Sequence, residues 1–172
     1  LNLIRTNPFE PRMVPAIDDM FQSLSLSASA QWEESFSNMN QAINDPGWLL
    51  KLQNYSPFLH ALTRDTCSIT RFEGSNKINV VPPEAWAELD CRILPDRPSE
   101  IFIEELKNLI SETGVDIEVI MAFTAAISTT DTVLYEAIEE VTGERHPGSR
   151  VTPYVSTGFT DSHFFRDLGI PS

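Results

Sequence analysis

The residues with the most obvious chemical potential are three histidines, His60, His146 and His163, and the run "TDSH" at 160–163. In that run Asp161 and His163 could ligate a metal, or Ser162 and His163 could act as nucleophile and base. Neither pairing suits its spacing. On a helix, side chains at i and i+2 point about 200° apart and do not converge on one ion. Adjacent Ser and His side chains likewise do not reach each other as nucleophile and base must. His60, beside the apolar Leu59, reads as a core-edge residue, and His146 in "GERHPGSR" as a solvated turn residue. The acidic pairs at 33–34, 104–105 and 139–140 read as helix-surface carboxylates, and there is no glycine loop of the phosphate-cradling kind. Taken alone, these residues make no complete active site.

A different kind of group stands in "NKINVVPPEAWAELDCRILPD" at 76–96. Ala85, Ala87, Leu89, Cys91 and Ile93 alternate with Glu84, Glu88, Asp90 and Arg92, the period of a strand with one buried face. Trp86 alone breaks the rule. Arg92 therefore points away from the core, and the simplest use for it is a surface pair with Glu88 or Asp90.

The elements that must position these groups follow from periodicity. Val14, Ile17, Met20, Phe21 and Leu24 share a helical face, with Pro15 suited to a first turn. Trp32, Phe36, Met39 and Ile43 repeat that spacing. "NDPG" at 44–47 predicts a turn, and Ser56-Pro57 the start of a short helix through Leu62. From Cys67 the period changes: "CSITRF" predicts a strand, 84–94 a second strand, Ser99 onward a helix carrying Phe102, Leu106, Leu109 and Ile110 inward, and "DIEVIMAF" at 116–123 a third strand. Strand, strand, helix, strand is most of a ferredoxin-like unit. After a polar linker near Ala125, Thr130 or Asp131 can cap a helix bearing Val133, Leu134, Ala137, Ile138 and Val141, with Gly143 as its stop. "SRVTPYVSTGFT" predicts a strand running into a turn, and "DSHFFRDL" a short helix ended by Gly169. The expected architecture is α+β: a unit over 1–125, helical over 1–63 and strand-strand-helix-strand over 66–124, followed by a partial α/β segment over 126–172.

Composition narrows the partners. A net charge of −13 argues against nucleic acid and anionic membranes, both polyanions, and no apolar run approaches the ~20 residues of a membrane span. The first residues do not resemble a signal peptide and carry no starting methionine, so the chain is expected to begin inside a longer soluble protein. That favours the cytoplasm while leaving secretion open. Cys67 and Cys91 fall on strand-like segments that could lie close together; two buried thiols are the expectation.

Asn79-Val80-Val81-Pro82 followed by Asp90-Cys91-Arg92-Ile93-Leu94-Pro95 resembles the signature of the dimerisation or lid domain in the zinc peptidases related to aminoacylase, carboxypeptidase G and succinyl-diaminopimelate desuccinylase. "STGFTDSHFFRDLGIPS" resembles a later motif of the same family, Gly-x-Thr-Asp-x-x-Phe-x-Arg-x-x-Gly-Ile-Pro. The likeness covers 62–172 well and the first sixty residues only loosely.

The resemblance implies that Asn79 and Arg92 bind substrate, including its carboxylate, and that Gly158 and Thr160 lie near the substrate backbone. It implies amide hydrolysis of a peptide or N-acyl amino acid by a homodimer. The zinc ligands would lie outside this chain, which would supply lid, carboxylate binding and dimerisation and be inactive alone. For Thr160 the plain use is a helix N-cap. The residues themselves leave a second reading, a non-catalytic ferredoxin-like interaction module that pairs with another copy of itself.

Overall fold

The computed structural model describes residues 2–123, 127–158 and 160–172. A short α1 (Asn2–Thr6) leads into a helical layer: α2 (Pro15–Ser25), α3 (Ala30–Ser37), α4 (Met39–Ala42), α5 (Pro46–Tyr55) and α6 (Pro57–Ala61). A hairpin follows, β1 (Thr66–Glu73) and β2 (Trp86–Arg92), then α7 (Ser99–Ile110), α8 (Val133–Arg145) and α9 (Ser162–Asp167). This is the expected α+β class.

The core lies within the helical layer, where the 3.6-residue pattern is clearest. Val14, Ile17, Met20 and Phe21 meet Trp32, Phe36, Met39 and Ile43, with Leu49, Leu52, Leu62 and Leu94 closing the cluster. Phe21 sets its ring edge-on to Phe36 at 5.2 Å between centroids. Local chemistry starts these helices as the sequence predicts at Pro15 and at Ser56, whose Oγ accepts from the Leu59 N–H. The "NDPG" turn is instead a helix start: Asp45 Oδ1 accepts from Gly47 N–H at 2.8 Å, and Pro46 needs no partner for a missing N–H.

β1 and β2 pair antiparallel, Thr66 opposite Arg92 and Glu73 opposite Trp86, with a bulge at Thr70. Trp86 breaks the alternation for a visible reason. It is partly exposed, and the Arg71 guanidinium covers its ring at 4.7 Å. Cys67 lies directly opposite Cys91 and the two form a disulfide, correcting the expectation of two free buried thiols: direct cross-strand register sets their Cα atoms 4.1 Å apart.

Two predicted strands are absent. Residues 116–123 and 149–156 carry no ladder, and Ile120 and Met121 are 76% and 71% exposed. A strand is defined by its neighbour, and among the described residues neither segment has one. Two boundaries also move in α8: Thr132, rather than Thr130 or Asp131, caps it by accepting from Tyr135 N–H, and the helix passes Gly143 to end at Arg145. Its apolar face, Val133, Leu134 and Ile138, is exposed. Gly114 (φ 68°) and Gly169 (φ 76°) stop their segments in the left-handed region, the latter as expected.

A charge network fastens the hairpin base. Asp65, just before β1, has a fully buried side chain that accepts from Arg12 Nη1 and Nη2 (2.9 and 2.8 Å), Arg97 Nη2 (2.6 Å) and the Leu94 N–H (2.7 Å). Arg12 also clasps Asp96 with two bonds, and Arg97 clasps Glu105 on α7. Their arginine partners hold the Asp96 and Glu105 carboxyls below the ordinary carboxylate values. A carboxyl depressed on folding stabilises the fold above its unfolded pKa and loses that contribution as pH falls through the folded value. The melting temperature should therefore decline on acidification from about pH 5, and Asp96→Asn should flatten that decline. A profile identical in the variant and the parent would contradict the assignment.

Candidate substrate-binding site

Arg92 ends β2 on the polar face, with its side chain half exposed. Its Nη2 donates to Asp90 Oδ2 at 2.6 Å, the local pair expected of a surface arginine. Its Nη1 donates to the Thr157 carbonyl at 3.0 Å, across 65 residues of sequence. The two motifs singled out in the sequence thus meet in space. A guanidinium carries five N–H donors, and these two bonds leave others to receive a carboxylate.

Thr157 opens a tight turn in which Ser156 Oγ accepts from Gly158 N–H at 3.1 Å. A side-chain Cβ at Gly158 would meet Ser156 Oγ at 3.6 Å, ordinary contact, so space alone does not require glycine there. Thr160 is exposed; its carbonyl accepts from His163 N–H at 3.2 Å, but its side chain does not cap α9, whose N-cap position is Asp161.

Asn79 belongs to a different part of the hairpin. It lies exposed in the loop between β1 and β2, beyond the Glu73–Trp86 end of the hairpin, whereas Arg92 stands at the other end. Strand rise separates those ends by roughly 20 Å.

His163 Nε2 lies 3.3 Å from Asp167, one helical turn on. Burial, then the charge of Arg64, lowers the pKa of His60, as fits its core-edge position. Among the described residues no three His, Cys, Asp or Glu side chains come together to hold a metal ion. No helix among them is long and apolar enough to cross a membrane.

The network around Asp65 and the Thr157 carbonyl escaped the sequence reading. The Asp65 network had one usable signal, since Asp65 and "PDRP" flank the paired ends of the two strands.

Comparison with known proteins decides the family. The model of the peptidase dimerisation domain matches residues 3–118. The chain belongs to that family. The resemblance carried by the two motifs is borne out, and the match takes in the helical layer as well as the hairpin and α7. The peptidase dimerisation domain seen here is similar to human N-fatty-acyl-amino acid synthase/hydrolase PM20D1, 30% identical over 139 residues, covering 76% of this chain and 28% of that protein. It is also similar to the probable carboxypeptidase S-like 2 of Dictyostelium discoideum, 25% identical over 156 residues, covering 87% of this chain and 28% of the relative. The fold matches that of the M20 family metallo-carboxypeptidase Sso-CP2 from Sulfolobus solfataricus with a TM-score of 0.57, at 22% identity over 98% of this chain and 47% of the other. The dimerisation-domain chain thus spans little more than a quarter of the length of its curated relatives.

Proposed function

We propose that this chain is the lid, over residues 1–125, and an adjoining strip of catalytic domain, over 126–172, of a zinc-dependent amidohydrolase acting on peptides or N-acyl amino acids. Its part in the reaction is to grip and orient the substrate. Arg92 receives the carboxylate through a charge-assisted fork, while the Gly158 turn and Thr160 lie along the substrate backbone. The Arg92 Nη1 bond to the Thr157 carbonyl, 3.0 Å long, carries this reading, because it joins the lid strand to the turn. The relatives' names support the substrate class: an N-acyl amino acid and a carboxypeptidase substrate both present a carboxylate close to the scissile amide.

In this reading zinc is held by groups elsewhere in the complete protein. Asn79, at the far end of the hairpin, would serve the site of a second copy, so the homodimer implied by the family becomes part of the site.

Hydrolysis of a panel of N-acyl amino acids and dipeptides, with zinc added, tests this. The 172-residue chain is compared with the complete parent protein. Turnover by the complete protein alone is the expected result. A folded, zinc-loaded complete protein that hydrolyses none of the panel would instead favour a non-catalytic interaction module.

A further inference from the structure

The segment leading to the Gly158 turn has no sheet to hold it, yet its course is fixed by side chains. Thr152 Oγ1 lies 2.7 Å from Ser23 Oγ on α2, a partly buried hydroxyl pair 129 residues apart in sequence. The Tyr154 ring stacks on Phe58 of α6, with centroids 5.8 Å apart and planes within 10°. Val155 packs against the helical core. Two residues further on, the Thr157 carbonyl takes the Arg92 hydrogen bond. A backbone without ladder partners keeps its φ/ψ freedom unless something else removes it. Here the helical layer removes it, and the last rigid point before Thr157 is this three-sided grip.

We propose that the helical layer is a positioning clamp for the Gly158 turn. Thr152, Tyr154 and Val155 are positioning residues that set the place of the Thr157 carbonyl and, through it, the plane of the Arg92 guanidinium. This deepens the substrate-binding reading of Arg92 and rests on it for its kinetic consequence. Tyr154 is the informative member. It is 70% exposed, so removing its ring takes away the stack without opening the core. The stack needs an aromatic face and no hydroxyl, so phenylalanine keeps it.

Two measurements test the clamp. In NMR spectra of this chain, Tyr154→Ala should shift the Thr157 and Gly158 amides and the Arg92 side-chain signal, leave the α2–α5 amides in place, and be restored by Tyr154→Phe. In the complete enzyme the same alanine should raise KM about tenfold with kcat nearly unchanged, the signature of a misplaced binding group; phenylalanine should behave as the parent. If Tyr154→Ala perturbs the helices too, Thr152→Val, which removes the hydroxyl pair at similar volume, is judged by the same signals. Arg92, Thr157 and Gly158 signals that stay put in these variants overturn the clamp, whatever the kinetics. An Arg92→Ala enzyme with parental KM would overturn the carboxylate reading instead, with the clamp still decided by the spectra.

Discussion

Replacing Asp65 by asparagine should lower the free energy of unfolding by about 3–5 kcal/mol, because it leaves two arginines without the buried charge that they share. The carboxylate is fully buried and takes four hydrogen bonds, three from guanidinium N–H groups and one from the Leu94 backbone. Asparagine keeps the shape but turns one acceptor into a donor, which then faces donors. Removing one partner of a buried ion pair costs much more than an exposed pair is worth. Urea titration of both proteins checks this, with the slope unchanged if unfolding stays two-state. A loss below about 1 kcal/mol would mean that Arg12 and Arg97 satisfy themselves through Asp96 and Glu105 alone. Glu105→Gln makes a useful contrast: Glu105 is half exposed, and its loss should be small.

The second large effect tests the proposed role in catalysis. On the proposed function, Arg92→Ala in the complete protein should reduce kcat/KM by about 10²- to 10³-fold for substrates with a free carboxylate, the scale expected for a desolvated charge pair with one partner removed. The penalty should shrink to a few-fold when that carboxylate is capped as an amide. Arg92→Lys should recover only part of the activity, since an ammonium offers a point charge rather than a planar fork. Equal losses for free and capped substrates would show that Arg92 acts only through the Thr157 turn. The local bond to Asp90 does not argue against substrate binding, because it steadies a half-exposed guanidinium that has five N–H donors in all.

Legibility in the sequence tracked how local each interaction is. α2 and α3 were readable because Ile17, Met20, Phe21, Trp32 and Phe36 repeat within single turns, and those same residues form the core. The hairpin was readable because alternation on β2 is a property of one strand. The segment at 116–123 alternates too, but pairing depends on a neighbour that the pattern cannot name. Asp65 illustrates the same limit for charge: its partners stand at positions 12, 94 and 97, and only the register Thr66–Arg92 reveals that they share one end of the hairpin. Of the proposed site, the residue types were visible in the two motifs. The meeting of Arg92 with Thr157, and the place of Asn79 in the loop joining the two strands, required the fold.

The placement of the three tryptophans makes the two halves of the molecule optically separable. Trp32 and Trp48 lie edge to face at 6.2 Å inside the helical layer, with both indole nitrogens shielded, whereas Trp86 sits on the hairpin under Arg71. Emission from the first two should be blue-shifted and resistant to aqueous quenchers, while Trp86 should emit from a wet, cation-capped environment. A Trp86→Phe variant would then report on the helices alone. Subtracting its signal from that of the parent would follow the strand bearing Arg92 through folding without any added label.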